Sequence, residues 1–215
     1  MIFQDRQEAA RLLARRLSAY YKNKNPLVLG IPRGAVPMAK IIADALGGEL
    51  DVVLVRKLGH PSQPELAIGA IDEEGKVFFS DYAYELDERY LEAEKQRQLE
   101  LLRRRRASYT PHRPPIDPQG RIVIVVDDGI ATGSTMTAAL RAVRARKPKK
   151  LVGAVAVASA PAARALRAEA DAIVCLNVPA EFYAVGQFFK DFTQVTDEDV
   201  IRILASKEAE LSAVV

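Results

Sequence analysis

One segment, Val123–Thr135, limits more than any other what this chain can fold into. It begins with four apolar residues, the pattern of a parallel strand that is buried on both faces. Asp127 and Asp128 follow, and a short turn ending in Thr-Gly-Ser-Thr leads into a helical pattern over residues 136–146. A Gly/Ser/Thr turn at a helix start presents free backbone amides to an anion. The two adjacent carboxylates therefore predict a ligand with sugar hydroxyls at one end and a phosphate at the other, such as a ribose 5-phosphate.

Length and composition favour a single α/β domain. The chain has 215 residues, of which 49% are hydrophobic, enough for a sizeable core. Its one cysteine, Cys175, excludes a disulfide framework and a multi-cysteine metal site. The net charge of +3 fits small anionic ligands, and nucleic acid is not expected as a partner. Charged residues interrupt the N-terminal apolar residues and no later apolar stretch could span a bilayer, so we expect a cytoplasmic protein with no membrane partner.

Strand and helix patterns alternate along the chain. A helix capped by Asp5 begins it, and the residues predicted to share its apolar face are Ala10, Leu13, Leu17 and Tyr20. Strands are predicted at 27–31, 51–56, 123–126, 151–157 and 172–176, with a hairpin formed by 67–71 and 76–79. Further helices are predicted at 36–46, 82–106 and 136–146, from Pro161, and from a cap at Thr196 or Asp197. This alternation predicts a doubly wound, mainly parallel sheet.

The segment Val123–Thr135 resembles the signature of the type I phosphoribosyltransferases, in which four apolar residues and two acidic residues precede a small-residue turn ending in T-G-x-T. The alternative is a buried strand with an acidic turn and an ordinary capped helix, which leaves the acidic pair unexplained. The resemblance implies the α/β fold of that family, with a small hood and an inserted helix. The single domain, 1–215, would have its core at about 25–80 and 120–178, the inserted helix and linker at about 81–120, and the hood at about 179–195 with the N- and C-terminal helices.

The resemblance also implies a reaction. The 5-phosphoribosyl group of 5-phosphoribosyl 1-diphosphate would move to a ring nitrogen of a nucleobase-like acceptor, with release of pyrophosphate. Such an enzyme is a pentosyltransferase of nucleotide metabolism that uses Mg²⁺, and a homodimer is expected. Asp127 and Asp128 would be catalytic and would contact the metal through water, because magnesium sites keep several waters. The substrate-binding residues of the signature are expected to be Gly129, Ile130, Ala131, Thr132, Gly133, Ser134 and Thr135, with the amides from Ala131 onward on the 5-phosphate.

Ligands of open parallel sheets lie beyond the carboxyl ends of the strands, where three further segments are expected to contribute. The first, Gly30–Ala35, contains Arg33 and Gly34 before a helix start, a pattern that can hold a diphosphate. It is similar to the pyrophosphate loop of the family, and this similarity implies a non-proline cis peptide at Arg33–Gly34. Alone, the segment would be interpreted as a plain strand-to-helix turn with a solvated arginine.

The second segment, Arg56–Glu65, begins with two adjacent cations, Arg56 and Lys57, and continues with Gly, Pro and Ser. This composition predicts a mobile loop over an anion site. The Arg-Lys pair is similar to the start of the lid in orotate and adenine phosphoribosyltransferases, which implies catalytic roles for both residues. A lid would shield an oxocarbenium-like ribosyl cation from water. His60 is interpreted as a solvated loop histidine, and His112 as inert.

The third segment, Pro179–Phe192, holds five aromatic residues and could belong to the core. It nevertheless resembles the hood of purine phosphoribosyltransferases, whose aromatic-plus-Val-Gly stretch covers the base. Alignment on Val185-Gly186 places Tyr183 where the base-stacking aromatic is expected. The alignment requires a one-residue shift before Asp191.

The sequence constrains the acceptor through one position. In the 6-oxopurine enzymes of this family an aspartate before Thr-Gly handles the proton of the purine nitrogen, whereas this chain has Ala131. A methyl group cannot act as acid or base, so we expect an adenine-like or non-purine acceptor. The proton would then pass to Glu65, to His60 or to water. Alternatively, the base would bind as an anion that has already lost it.

Two alternatives stay open. One is a non-catalytic regulator that senses 5-phosphoribosyl 1-diphosphate or nucleotides, favoured by the basic run Arg103–Arg106 and detectable as salt-dependent nucleic-acid binding. The other is an enzyme that uses the same fold with a different acceptor, such as an amine. The predicted helix around this basic run is interpreted as a solvated edge helix, stabilised by i,i+4 pairs such as Glu100 and Arg104. An RNA-binding or subunit-contact role is the alternative for it, without the interleaved aromatic residues that would support RNA binding.

Overall fold

The computed structural model describes residues 1–79, 83, 86–111 and 114–212. Within these residues the helices are α1 (Arg6–Tyr21), α2 (Val36–Leu46), α3 (Glu88–Tyr109), α4 (Ser134–Ala145), α5 (Ala160–Ala165) and α6 (Asp197–Ser212). The strands are β1 (Leu27–Gly30), β2 (Glu49–Val52), β3 (Val55–His60), β4 (Gln63–Asp72), β5 (Val77–Phe79), β6 (Ile122–Ile130), β7 (Lys150–Ala158) and β8 (Ala172–Asn177). No helix of the described part of the chain is both long and apolar enough to cross a membrane.

Five parallel strands form the central sheet, in the order β2-β1-β6-β7-β8. Successive side chains of a strand point to opposite faces, and the core divides accordingly. Val28 and Ile124 pack with the cluster formed with α1 and α2, whereas Leu29 and Val125 pack with the cluster around α4 and α5. Helices thus cover both faces, which confirms the predicted doubly wound fold with its mainly parallel sheet.

A second sheet, antiparallel and in the order β3-β4-β5, changes two predictions. The strand predicted at 51–56 is wrong, because the chain leaves the central sheet after Val52 and β3 begins at Val55. An unbroken apolar run does not show where a chain passes from one sheet to another. The loop predicted at Arg56–Glu65 is instead the β3–β4 hairpin, which is irregular on both sides of Gly59, where its register shifts. The predicted hairpin over 67–79 is confirmed as β4–β5.

The helix predictions are mostly confirmed. The side chain of Asp5 accepts a hydrogen bond from the backbone amide of Glu8, and α2 ends at Gly47, whose φ of 66° suits glycine. The predicted apolar face of α1 is wrong at one position, since Tyr20 is 68% exposed and Tyr21 is buried instead. The helix predicted at 82–106 begins at Glu88 and continues to Tyr109.

The N-terminal residues pair with the segment predicted as the hood. The amide of Phe3 donates to the carbonyl of Phe188, and the amide of Lys190 donates to the carbonyl of Phe3. The rings of Phe3 and Phe189 lie 5.4 Å apart. These contacts attach residues 185–192 to the start of α1; the domain boundaries proposed above stay a prediction.

Candidate functional site

Strand β6 carries the acidic pair beyond the point where the apolar run ends. The strand is longer than the predicted 123–126, because β6 continues in register with β7 through Asp127 and Gly129 to Ile130. The alternative of an acidic turn is therefore wrong. Asp127 and Asp128 are both half-buried. The two side chains lie close together: Oδ1 of Asp127 accepts a hydrogen bond from the amide of Asp128 at 2.9 Å.

The turn after β6 leaves the start of α4 open. Gly133, with a φ of 82°, is the N-cap residue and has no side chain with which to cap the helix. The hydroxyl of Thr132 accepts a long hydrogen bond, of 3.4 Å, from the amide of Ser134. The hydroxyls of Thr132 and Ser134 lie 3.1 Å apart and are exposed. The Oγ of Ser159 donates to the carbonyl of Ala131 at 2.6 Å, which holds the turn against β7 and α5. An uncapped N-terminus of a three-turn helix with flanking hydroxyls suits an anion.

Asp128 is held by an arginine that sequence reasoning did not find. Arg6, at the start of α1, donates from Nε to Oδ2 of Asp128 at 2.8 Å and from Nη1 to the carbonyl of Thr193 at 2.7 Å. Its guanidinium carbon lies 3.8 Å from the centroid of the Phe192 ring. Arg6 therefore joins the acidic pair to the hood segment.

Gly34 lies directly against the same carboxylate. A Cβ atom on Gly34 would be 2.2 Å from Oδ2 of Asp128, so this position admits no side chain without displacing Asp128. The predicted cis peptide at Arg33–Gly34 is wrong by one residue: the cis bond is Pro32–Arg33. A cavity of about 390 Å³ lies here, lined by Arg6, Arg33, Gly34, Asp128, Phe192, Gln194 and Val195.

Arg33 contacts the C-terminal helix. Its Nη1 lies 3.5 Å from Oδ2 of Asp197, the first residue of α6. The hydroxyl of Tyr109, at the end of α3, donates to the other oxygen of Asp197. Burial, and then this hydrogen bond, raise the pKa of Tyr109. The loop that contains Arg33 and the helices α3 and α6 thus meet at the carboxylate of Asp197.

Arg56 and Lys57 lie at the start of β3, on the other side of the signature turn. Lys57 lines a cavity of about 260 Å³ together with Thr132 and Ser134. Arg56 and Thr135 line a neighbouring cavity of about 400 Å³. Lys57 lines this second cavity as well, so the structure brings both predicted cations next to the turn of residues 131–135.

The predicted hood residues differ in how closely they pack on the rest of the chain. Tyr183 is 82% exposed, and its amide donates to the side chain of Gln187 at 2.9 Å. Val185 instead packs on the signature strand, where a Cβ on Gly129 would lie 2.4 Å from its Cγ1. Gly129 thus makes room for the hood segment, and Ile130 is a core residue with 4% exposure. The stacking role of Tyr183 stays a prediction.

The acidic pair fits a magnesium ion. Burial, and then the charge of Asp128, raise the pKa of Asp127 well above its usual value. A nearby cation would favour the ionised form of both carboxylates. No cluster of three or more ligating side chains occurs in the described part of the chain. Magnesium typically uses one or two carboxylates together with substrate phosphates and water, so Asp127 and Asp128 suffice on the protein side.

The structure describes only one of the two candidate proton-transfer side chains, that of His60. His60 lies in the β3–β4 hairpin, where its Nδ1 accepts a hydrogen bond from the amide of Ser62 at 3.2 Å. The side chain of Glu65 and all of His112 lie outside the described residues. Among the residues that sequence reasoning missed, Arg6 carries one signal: it follows the helix cap Asp5 and so occupies the first turn of α1.

The chain is similar to known proteins in sequence and in fold. Residues 2–191 match the family model described as "Phosphoribosyl transferase domain". The chain is 44% identical over 206 residues to a Mycobacterium tuberculosis (strain H37Rv) protein named "Putative phosphoribosyl transferase Rv0571c", with 94% of this chain and 46% of that protein covered. The chain thus spans about half the length of the curated relatives it matches.

Two solved structures are similar. The protein TT1426 from Thermus thermophilus is 47% identical with a TM-score of 0.87, covering 96% of this chain and 99% of that chain. A hypoxanthine phosphoribosyltransferase from Staphylococcus aureus is 15% identical with a TM-score of 0.50, covering 85% of this chain and 78% of that chain. The second likeness shows the fold alone.

Proposed function

The chain belongs to the phosphoribosyl transferase domain family, and we propose that it transfers the 5-phosphoribosyl group from 5-phosphoribosyl 1-diphosphate to a ring nitrogen of a nucleobase-like acceptor. One observation carries the proposal. The acidic pair on β6 has an uncapped, hydroxyl-lined helix start on one side and the Arg33–Gly34 loop on the other, with Gly34 in contact with Asp128. A sugar that bears a phosphate at one end and a diphosphate at the other matches this order of groups.

Each group of the ligand then has a partner of matching chemistry. The amides and hydroxyls of 131–135 bind the 5-phosphate, as helix starts bind anions. Asp127 and Asp128 accept hydrogen bonds from the ribose hydroxyls, and bound Mg²⁺ would neutralise charge on the diphosphate. Arg33 binds the diphosphate in place of Asp197, which it contacts in the free chain.

The reaction exchanges one bond for another at the anomeric carbon. The bond from that carbon to the diphosphate oxygen breaks, with its electron pair leaving on the diphosphate. The bond from the same carbon to the acceptor nitrogen forms, and the proton of that nitrogen passes to Glu65, His60 or water, unless the base binds as an anion that has already lost it. Cations around the diphosphate stabilise the charge that develops there, the type of stabilisation that contributes most in such sites. Arg33, Arg56 and Lys57 are the cations we assign to this role.

The acceptor is an adenine-like or non-purine base. Ala131 is exposed at the signature turn, and its side chain offers neither donor nor acceptor. A base that needs a general acid or base at this position, as hypoxanthine and guanine would, finds none there. Tyr183, exposed in the hood segment, is the proposed stacking residue for the base.

The test is pyrophosphate release from 5-phosphoribosyl 1-diphosphate with a panel of bases, with and without Mg²⁺. We expect release with adenine or a non-purine base, dependent on Mg²⁺, and little release with hypoxanthine or guanine. Robust turnover of hypoxanthine or guanine would contradict the argument from Ala131. Absence of release with every base would contradict the proposed enzyme. Light scattering of the same preparation tests the proposed homodimer.

A further inference from the structure

A cavity of about 400 Å³ lies between β3, α3 and the start of α4. Its charged lining residues are Arg56 and Lys57 from β3 and Glu94, Arg97 and Arg105 from α3. Thr135 lines the same cavity, so the cavity adjoins the turn of residues 131–135 that is proposed to bind the 5-phosphate. Four cations and one carboxylate therefore face a single space, two of the cations supplied by the helix inserted between the two halves of the fold.

Buried polar side chains hold Arg56 in a fixed position. Its Nε donates to Oε1 of Gln98 at 2.5 Å, and Nε2 of Gln98 donates to Oε1 of Glu94 at 2.9 Å. Gln98 is only 7% exposed and Glu94 only 4%. Among the described residues, the two terminal nitrogens of Arg56 have no acceptor. The guanidinium is thus oriented by one edge while its fork stays available to a ligand.

Glu94 does not neutralise the guanidiniums of Arg56, Arg97 and Arg105. Glu94 pairs with Arg97 as well as accepting from Gln98. Arg105 is half-buried and has no hydrogen-bond acceptor or ion-pair partner in the described ranges. Burial, and then the charge of Arg105, lower the pKa of Arg56, so the two guanidiniums are close enough to repel each other. An arrangement of this kind is costly without an anion between the cations.

We propose that this cavity binds a diphosphate or a longer phosphate chain, with Arg97 and Arg105 of α3 acting together with Arg56. Guanidinium forks match phosphate oxygens in pairs. The lining residues that the structure describes include four cations and no aromatic side chain, so the group that they recognise is the phosphate chain. The ligand is either the diphosphate end of the ribosyl substrate or a separate polyphosphate such as a nucleotide. With the substrate's diphosphate as ligand, the site rests on the proposed function and adds Arg97 and Arg105 to it. With a separate polyphosphate, the site goes beyond that function, since binding there does not require transfer.

The test is calorimetric titration of inorganic diphosphate into the full chain and into the variants Arg105→Gln and Arg97→Gln. The control is Arg104→Gln, because Arg104 lies on the same helix but is exposed and paired with Glu100. Loss of a charged hydrogen bond weakens binding by about tenfold or more. We expect that loss for Arg105→Gln, a smaller loss for Arg97→Gln, and a change under about twofold for the control. Equal affinities of Arg105→Gln and Arg104→Gln would overturn the proposal.

Further titrations, in a second background and with two other ligands, identify where the diphosphate binds and which molecule supplies it. Arg33 offers another place for the probe, so the titrations are repeated with Arg33→Gln, where the loss caused by Arg105→Gln must persist; its disappearance would overturn the proposal. Ribose 5-phosphate must bind Arg105→Gln as it binds the unsubstituted chain, because equal weakening would indicate a general disturbance. If 5-phosphoribosyl 1-diphosphate loses as much affinity as diphosphate, the ligand is the substrate's own diphosphate; if it loses none, the ligand is a separate polyphosphate. Failure of the transfer assay leaves these binding results unaffected.

Discussion

At the scale of single residues, Asp128 is where most contacts of the site converge. Arg6 donates to one of its oxygens, Gly34 lies against the same oxygen, and its neighbour Asp127 is the most strongly perturbed acid of the site. Each contact involves a different element, namely α1, the loop after β1, and β6 itself. Substitutions here should therefore alter ligand binding before they alter folding.

Asp127→Asn and Asp128→Asn are expected to weaken binding of 5-phosphoribosyl 1-diphosphate in the presence of Mg²⁺ by about tenfold or more each. Both lose a charged acceptor at a strand end but keep the volume of the side chain, so the free energy of unfolding should change little. Calorimetry with Mg²⁺ measures the first and urea unfolding the second. Wild-type affinity in both variants would show that the sugar does not bind here.

Gly34→Ala should weaken both diphosphate and 5-phosphoribosyl 1-diphosphate. The added Cβ would lie 2.2 Å from Oδ2 of Asp128, so the carboxylate or the loop must move. Gly120→Ala is the control for affinity alone, because Gly120 precedes β6 at the end opposite to the acidic pair and its Cβ would meet nothing within 4 Å. Its φ of 69° strains an alanine there, so this variant costs stability without touching the site. Unchanged affinities for Gly34→Ala would mean that the loop can shift without affecting the ligand.

Arg6→Met is expected to raise the KM for 5-phosphoribosyl 1-diphosphate by roughly tenfold, since the loss of a charged partner at Asp128 leaves two adjacent carboxylates to repel the substrate's phosphates. The methionine keeps an apolar stem against Phe192. Arg15→Met, at an exposed position of the same helix, is the matched control. A KM equal to that of the control would leave Arg6 with a purely structural role.

At the scale of elements, Arg106 attaches the inserted helix to the central sheet. Its side chain is 11% exposed and pairs with Asp51 at 2.8 Å and Glu73 at 2.6 Å, and Nη2 donates to the carbonyl of Val52 at 3.0 Å. Asp51 also accepts from the amide of Ile116 in the linker. The helix predicted as a solvated edge element is therefore anchored through a buried ion-pair network.

Arg106→Met should destabilise the chain by about 3–5 kcal/mol, because it leaves Asp51 and Glu73 charged and without this partner. Arg104→Met, on the exposed side of α3, should change the free energy of unfolding by less than about 0.5 kcal/mol. Urea denaturation of both variants makes the comparison. A loss for Arg106→Met no larger than that of Arg104→Met would refute the anchoring role.

At the scale of the whole molecule, the cations of α3 do not form one basic face. Arg106 is turned into the core, Arg104 pairs with Glu100, and Arg105 lines the cavity beside Arg56. This distribution leaves the nucleic-acid regulator without the continuous stripe that such proteins use.

We accordingly expect no measurable binding of short DNA or RNA duplexes at about 150 mM salt, where surface electrostatics are screened beyond roughly 8 Å. Fluorescence anisotropy over a salt series measures this. Binding that persists at this concentration and falls steeply with added salt would favour the regulator over the enzyme.

The sequence by itself determined the features that depend on neighbouring residues. The strand–turn–helix of the signature, the bounds of α2 with its terminal glycine, and the β4–β5 hairpin all follow from local periodicity, capping and turn chemistry. Only the tertiary structure decided the contacts between distant segments. Arg6 meets Asp128 from 122 residues away, and Arg106 meets Asp51 from 55. The chain topology brings such side chains together, and a pattern within one segment carries no information about which segment packs against it.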